Sequence, residues 1–179
     1  MTSVAILGGL LLVAVGCFAA CPDPPAFSGL DISKVAGKWY GYKLPAEFQN
    51  VYKCGDMDLK PKDDEIVDWT IKEYDVANYK WNNLRGSMHK IGDGKYEGFR
   101  VGITGNVKWS ILGTDYNNWL VYWQCHETNE KQWAFLMSRT KSLSPDAVQA
   151  ADKALPPGSY VITEQSDCPG YTLANTFLN

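Results

Sequence analysis

The sequence predicts an all-β protein, an eight-stranded antiparallel up-and-down barrel with one C-terminal α-helix packed outside. Eight short runs with period-two alternation of apolar and polar residues follow one another, and turn residues at hairpin-length spacing separate them. One helical segment comes only after the last run. Closing such a meander into a barrel removes the exposed sheet edges; a two-sheet sandwich is the alternative architecture.

The first 20 residues differ from the rest of the chain. They carry no charged side chain, and positions 4–15 are rich in Ala, Leu, Ile and Val. Such a segment is too short to span a bilayer and is typical of a secretory signal peptide. We expect cleavage after Ala19 or Ala20, which leaves residues 21–179 as a single secreted, extracellular domain. A bacterial lipoprotein signal is the alternative, because two cysteines here follow small residues.

Composition limits the classes of partner. The chain has 179 residues with 45% hydrophobic and 13% aromatic side chains, enough for one sizeable core. Its net charge is -3 and its charges are scattered, which argues against binding to nucleic acid or to an anionic lipid surface. No segment of the mature chain is predicted to span a membrane.

The mature chain retains an even number of cysteines: Cys21, Cys54, Cys125 and Cys168. In an exported protein this favours two disulfides over metal or redox chemistry, and the residues alone leave all three connectivities open. No pair has CxxC spacing, and His89 and His126 fall in no ligand pattern, so we expect no metal site.

The first element after the proline-rich arm organises the barrel. Ile32 and Val35 suit one helical turn, after which Gly37 releases the backbone into an aromatic strand. Trp39 is the first large side chain of that strand and can plug the closed end. The guanidinium of Arg139, which follows the last strand, can cover the ring in a contact worth roughly 0.5 to 2 kcal/mol.

The strand-like runs are 38–44, 52–59, 67–72, 78–89, 96–103, 107–112, 119–126 and 132–138. Gly86 marks a bulge or a close approach, and Ile91 to Gly94 have the chemistry of a hairpin turn. Asp115 can accept bonds from the backbone ahead of it. Between the first two runs, Phe48 is either a lid over a cavity or a side chain tucked over the core edge.

The helix has clear boundaries. Ser144 is a good N-cap, Pro145 suits the first helical position and Asp146 favours the positive end of the dipole. The apolar stripe that should face the outside of the barrel comprises Ala147, Val148, Ala151, Ala154 and Leu155. Pro156 begins the segment that ends the helix, and 160–163 is a candidate ninth strand.

Three short motifs in register resemble those of the lipocalin family: Gly37-Lys38-Trp39, Thr114-Asp115-Tyr116 and Arg139. Together with the signal, the strand count and the helix, they cover nearly all of the mature chain. Within the family, the chain is most similar to the apolipoprotein D and insect bilin-binding branch. The segments that match the pattern of this branch are Cys21-Pro22, Leu44-Pro45, Tyr52-Lys53-Cys54, Asn118-Trp119 leading to Tyr122 and Cys125, and Ser138-Arg139-Thr140. The resemblance implies disulfides Cys21 to Cys125 and Cys54 to Cys168. It departs from the family in the glycine-rich region 92–106, where the alignment of the fifth strand is open.

The resemblance implies a carrier of one small hydrophobic ligand, held in the cup of the barrel. Strand parity nominates as ligand contacts Trp69, Ile71, Leu84, Met88, Trp109, Tyr122, Gln124, His126, Trp133 and Phe135, and Phe48 is added from the loop at the rim. The inward aromatic rings and the branch favour a tetrapyrrole such as biliverdin, whose propionates His126, Arg85 or Arg100 could meet. No other cofactor is required. A retinoid, carotenoid, fatty acid or other lipid suits the same walls.

Two other functions are weighed against carriage. An enzyme is not expected, because all four mature cysteines are assigned to disulfides and no Ser, His and Asp fall at catalytic spacing. A ligand-free interaction or sequestering protein is the second alternative. An amine binder would need acidic groups inside, and only Glu73 has inward parity. Aromatic residues at the rim could serve a homo-oligomer as well as a ligand.

Overall fold

Eight antiparallel strands close into a barrel in the structure of the protein, a computed structural model that describes residues 21–102, 104–170 and the backbone pairing of 176–177. The strands are β1 Gly37–Pro45, β2 Tyr52–Pro61, β3 Ile66–Asp75, β4 Lys80–Gly92, β5 Lys95–Arg100, β6 Val107–Thr114, β7 Trp119–His126 and β8 Gln132–Ser138. Each strand pairs with its neighbours in sequence, and β8 pairs with β1 to complete the ring. The up-and-down barrel is confirmed. The predicted signal peptide lies outside the described residues.

Besides the eight barrel strands and a 3-10 turn, Ala46–Phe48, the structure has the helices α1 Ile32–Val35 and α2 Pro145–Asp152 and the short strands β9 Tyr160–Ile162 and β10 Thr176–Phe177. The strand β9 pairs antiparallel with the C-terminal end of β1, at Lys43 to Pro45, and β10 pairs parallel with β4. The predicted helix and ninth strand are therefore present, at slightly different bounds.

Several strand ends differ from the predicted runs. The fourth run was expected from position 78, but β4 begins at Lys80 because 76–79 is a turn in which Tyr79 has a φ of 53°. The second run was expected to stop before Pro61, whereas β2 includes this proline as its last residue. The fifth run was expected to reach position 103. Instead β5 ends at Arg100 and a turn follows at 101–102.

The closed end is built around Trp39, which is fully buried. Its indole Nε1 donates to the carbonyl of Val35 at 2.8 Å, so the helical turn α1 and the first strand are fixed to each other. Between them Gly37 adopts a φ of +90°, the left-handed region that a glycine reaches without steric cost. Arg139 covers the outer face of the ring, as the sequence predicts.

The second motif forms the turn beside this plug. The Asp115 carboxylate accepts bonds from the backbone N–H groups of Asn118 at 2.7 Å and Trp119 at 2.9 Å, so it caps the connection between β6 and β7. The Thr114 hydroxyl donates to the carbonyl of Trp119 at 2.7 Å. Arg139 Nε in turn donates to the Tyr116 carbonyl at 3.2 Å, so all three motifs meet at the closed end.

The helix α2 lies against the outer face of the barrel. The hydroxyl of its N-cap, Ser144, accepts from the Ala147 N–H at 3.3 Å. Ala151 is fully buried against Val121 and Leu136, which belong to β7 and β8. Burial of this apolar stripe holds the helix in place without contributing to the interior of the barrel.

Two disulfides tie the terminal segments to the barrel. Cys21 bonds to Cys125 on β7 and fixes the N-terminal arm there. Cys54 bonds to Cys168 and fixes the segment after β9 against β2. This is the pairing that the family resemblance implies. Cys54 also has a φ of 57°, at an irregularity in the pairing of β2 with β3 that bends the strand near the open end.

Candidate functional site

A cavity of about 250 Å³ opens at the end of the barrel opposite Trp39. Its wall draws on six of the eight barrel strands, on the loop after β1 and on the segment after β9. The lining residues are Gly41, Leu44, Phe48, Tyr52, Gly55, Asp56, Met57, Ile71, Glu73, Arg100, Tyr122, Gln124, His126, Trp133, Phe135, Met137 and Thr163. Seven of the predicted ligand contacts are brought together here: Phe48, Ile71, Tyr122, Gln124, His126, Trp133 and Phe135.

One side of the cavity is a continuous aromatic wall. The ring of Tyr122 stacks on that of Phe135, with centroids 5.1 Å apart and planes 22° from parallel. The rings of Phe48 and Phe135 also stack, with centroids 6.1 Å apart, and the centroids of the Trp133 and Phe48 rings are 5.7 Å apart. The period-two alternation of β7 and β8 places these rings on the inner face, next to one another across the strand pair. Such a wall suits a flat, apolar ligand.

The loop after β1 places Phe48 at the mouth. A short 3-10 turn, Ala46–Phe48, follows β1, and the N–H of Ala46 donates to the Ser159 carbonyl at 2.9 Å. The indole of Trp133 donates to the Glu47 carboxylate, which holds the loop to β8. Phe48 therefore both packs on the rim aromatics and forms part of the cavity wall, which combines the two arrangements that the sequence left open.

Four predicted ligand contacts lie below the cavity rather than in its wall: Trp69, Leu84, Met88 and Trp109. All belong to the main core cluster with Trp39 and are at most 9% exposed. The rings of Trp69 and Trp109 lie 5.4 Å apart and fill the barrel at mid-height. Strand parity places all these residues inside correctly. It carries no information on depth, and large side chains close the lower barrel to a ligand.

A carboxyl group stands on the opposite side of the cavity from the aromatic wall. Glu73 lies on β3 directly across from Asn82 on β4, whose amide donates to Glu73 Oε1 at 3.4 Å. Burial raises the pKa of Glu73 to about 7, although the Asn82 bond and the nearby Arg100 act against this rise. Close to neutral pH this group therefore changes between a hydrogen-bond donor and an anion.

The guanidinium of Arg100 also faces the cavity. Among the described residues it makes no hydrogen bond and no ion pair, and its Nε is buried without a partner. His126, on the neighbouring rim, has its pKa lowered by burial and then by the charge of Arg100, so its imidazole is neutral near pH 7. Arg85, the other predicted arginine, is exposed on the outer face of β4 and does not reach the mouth.

The structure adds wall residues that sequence reasoning did not nominate as ligand contacts. Arg100 was expected only as a candidate partner of a propionate; it follows Tyr96 and Gly98 at period two on β5, so parity could have placed it in the wall had the glycine-rich fifth strand been aligned. The alternation of apolar and polar residues could not identify Gly41 and Gly55, because glycine has no side chain to contribute to the pattern. It could not identify Thr163 either, because this residue lies outside the eight barrel strands.

Other kinds of site find no support in the described part of the chain. Within it, no three His, Cys, Asp or Glu side chains come close enough together to hold a metal ion. The helices that the structure describes are all too short or too polar to cross a membrane.

Comparison with known proteins places the chain in a family. Residues 36–157 match the model of the lipocalin and cytosolic fatty-acid binding protein family. The bilin-binding protein of Pieris brassicae is 26% identical over 156 residues, which covers 82% of this chain and 80% of that protein. Apolipoprotein D of Mus musculus is 23% identical over 182 residues, with 93% and 95% coverage.

Solved structures share the fold. Insecticyanin from the tobacco hornworm Manduca sexta superposes with a TM-score of 0.62 at 20% identity and covers 88% of this chain and 92% of that one. The amine-binding protein of Rhodnius prolixus, in its tryptamine complex, gives a TM-score of 0.66 at 15% identity, with 76% and 79% coverage.

Proposed function

The chain belongs to the lipocalin family, whose members carry small hydrophobic ligands, and we propose that this protein holds one such ligand in the cavity at the open end of its barrel. The observation that carries the proposal is the wall itself, an array of stacked rings above a filled core with a few polar groups at the mouth. The family and the relatives named above are binding and transport proteins, and the protein is accordingly not an enzyme.

For the ligand itself we propose a tetrapyrrole pigment such as biliverdin, bound without a covalent link. The similarity to the bilin-binding protein and to insecticyanin supports this choice, as do the flat aromatic wall and the unpaired cation of Arg100 at the mouth, which suits a propionate. A retinoid, carotenoid or fatty acid would use the same wall and is an alternative outcome of the test.

The size of the cavity sets a condition on this proposal. At about 250 Å³ the cavity is slightly below the range of about 300–1,000 Å³ that is usual for ligand sites. A second cavity of about 290 Å³ lies directly behind Leu44, Phe48, Tyr52 and Thr163, which line both. Phe48 is the largest apolar side chain of these four, and we expect rotation of its ring to connect the two spaces when a tetrapyrrole binds.

The test is a titration of the mature protein with biliverdin, followed by its red absorption band and by quenching of tryptophan fluorescence. We expect saturable binding of one equivalent, and stronger binding in Phe48→Ala, because the smaller side chain should connect the two cavities. Val51→Ala is the matched control, because Val51 is exposed on the same loop and lines neither cavity. If retinol or oleate quenches and biliverdin does not, the ligand is a lipid. If none binds, carriage fails and a ligand-free interaction protein is favoured.

We also propose that the protein is secreted. The two disulfides support an oxidising compartment, and the uncharged apolar segment at 1–20 supports export. N-terminal sequencing of protein recovered outside the cell should begin at Ala20 or Cys21. Retention of Met1 in the native protein would contradict the proposal.

A further inference from the structure

We infer that the cavity takes a ligand with an anionic head group, held by Arg100, and that Glu73 binds a proton as that head group enters. The inference rests on the proposed carriage and adds the chemical class of the ligand and a control of its release by pH. It depends on two groups of opposite charge that share one cavity and do not pair with each other.

The first observation is the state of Arg100. This side chain projects into the cavity from β5, opposite Gly86 on β4. A guanidinium has five N–H donors, and here the structure gives none of them a partner among the described residues. The Nε of Arg100 is buried, so leaving it without a partner is costly, and a carboxylate or sulfonate in the cavity would satisfy the guanidinium with two parallel hydrogen bonds.

The second observation is that Glu73 is not that partner. No nitrogen of Arg100 comes within ion-pair distance of its carboxylate, and its only hydrogen bond among the described residues is the long one from Asn82. The other carboxylate in the wall, Asp56, pairs with Lys38 at 3.3 Å. Glu73 and Arg100 are therefore the two unpaired ionisable groups of opposite sign in the described wall.

A bound anion would change the protonation of Glu73. Its pKa is already raised to about 7 by burial, and Arg100 is the charge that opposes this rise. An anion on Arg100 neutralises that charge and adds repulsion, so the pKa of Glu73 rises further and the complex takes up a proton. By linkage, the ligand binds tightly while Glu73 is protonated and weakly once pH rises above the pKa of the free protein.

The neighbours of Glu73 on the other strands do not reverse this sign. From β2, Tyr52 has a phenol whose pKa is raised by burial, so it stays neutral. From β3 itself Asp75 adds negative charge, and β4 contributes the neutral amide of Asn82. From β7, burial raises the pKa of Tyr122 and lowers that of His126, so both are neutral near pH 7. A protonated His126 would also favour an anion, but because the pKa of this histidine is lowered, the protonated form requires a pH below the usual pKa range of histidine.

Two fluorescent probes test the inference on the full mature protein. The anion 1-anilinonaphthalene-8-sulfonate and the uncharged N-phenyl-1-naphthylamine share one ring system, and neither changes charge between pH 5.5 and 8.5. We expect the dissociation constant of the sulfonate to rise about tenfold across this range, which corresponds to a shift of about one unit in the pKa of Glu73. That of the neutral probe should stay constant.

Variants assign the two roles. Glu73→Gln is neutral at every pH, so the sulfonate should bind tightly throughout and the step near pH 7 should disappear. Arg100→Met should lower the ratio of sulfonate to neutral-probe affinity at least tenfold at pH 6. Arg85→Gln is the matched control, because it removes an exposed arginine on the outer face of the barrel.

Three results would overturn the inference. The step near pH 7 could persist in Glu73→Gln and vanish in His126→Gln, which would assign the proton to the histidine. Arg100→Met could leave the ratio of affinities unchanged. Tryptamine could displace the neutral probe with an affinity that increases with pH, which would make Glu73 the anion of an amine site. Failure of the neutral probe to bind at all is a different result, since it refutes carriage itself and the inference with it.

Discussion

The guanidinium carbon of Arg139 lies 3.6 Å from the centroid of the Trp39 ring. The same side chain donates to the carbonyls of Ala36 and Lys34 at 2.8 Å each, while the Trp39 indole donates to Val35. One arginine after the last strand thus fixes the helical turn before the first strand. The contact therefore joins the segment before the first barrel strand to the segment after the last one, at the closed end of the barrel. Substitution of Arg139 tests how much this contact stabilises the fold.

We expect Arg139→Ala to lower the free energy of unfolding by about 2–4 kcal/mol, because it removes a cation–π contact and several bonds from a charged donor to backbone carbonyls. Urea denaturation at pH 7 measures this change. Arg139→Lys keeps the charge but not the planar fork and should recover less than half of the loss. The exposed Arg85→Ala should change the free energy by no more than about 0.5 kcal/mol. Equal effects at the two arginines would show that the cover over Trp39 contributes nothing.

The raised pKa of Glu73 predicts that stability depends on pH. Its carboxyl has a usual pKa of 4.5 and one of about 7 in the folded protein, so between these values the folded state binds more protons than the unfolded state. Stability is therefore greatest below pH 4.5 for this group and is lost as pH rises through 7, by an amount on the order of 3 kcal/mol. Glu73→Gln should match the natural protein in urea denaturation at pH 5 and exceed it at pH 8. If the two proteins differed by the same free energy of unfolding at pH 5 and at pH 8, the difference would not arise from ionisation of Glu73, and the prediction would be wrong.

The two disulfides should contribute comparably to stability and differently to binding. They close loops with sequence separations of 104 and 114 residues, so replacing either pair by serine should lower the free energy of unfolding by about 2–5 kcal/mol. Non-reducing urea denaturation of the two double variants compares them.

Only the Cys54 to Cys168 bond should affect ligand affinity. Beside it, the Gln165 amide donates to the carbonyls of Gly41 at 2.8 Å and Gly55 at 3.0 Å, both of which line the cavity. Its loss frees this segment and should weaken binding of the neutral naphthylamine severalfold. Loss of the Cys21 to Cys125 bond, which lies on the outer face, should not. A reversed order would contradict the position of the C-terminal segment at the mouth.

Gly86 allows Trp69 to cross the barrel interior. A Cβ at this position would lie 2.1 Å from the carbonyl oxygen of Phe99 and 2.4 Å from Trp69 Cζ2. Since the first of these atoms is backbone, we expect Gly86→Ala to cost about 1–3 kcal/mol of stability and to shift the tryptophan fluorescence. Gly92→Ala is the matched control on the same strand, because its Cβ would meet nothing closer than 3.7 Å. Similar stability of the two variants would show that the sheet adapts at Gly86 without strain.

The sequence by itself determined the barrel and its closed end. Alternation within each run sets which side chains face inward, and the turn chemistry between runs sets the antiparallel order. For this reason β7 and β8 have the predicted bounds, and Trp39 and Arg139 meet as predicted. Six of the predicted ligand contacts, all on strands, line the cavity for the same reason, and Phe48 joins them from the loop after β1.

Only the tertiary structure decided where the filled barrel ends and the cavity begins. Depth depends on the volumes of side chains from several strands, such as Trp69 and Trp109, which no single run encodes. That Glu73 and Arg100 share one cavity likewise depends on the curvature of the folded sheet, since they come from β3 and β5, which lie on either side of β4 and are not hydrogen-bonded to each other. The burial that moves the pKa of Glu73 exists only once the barrel has closed around it.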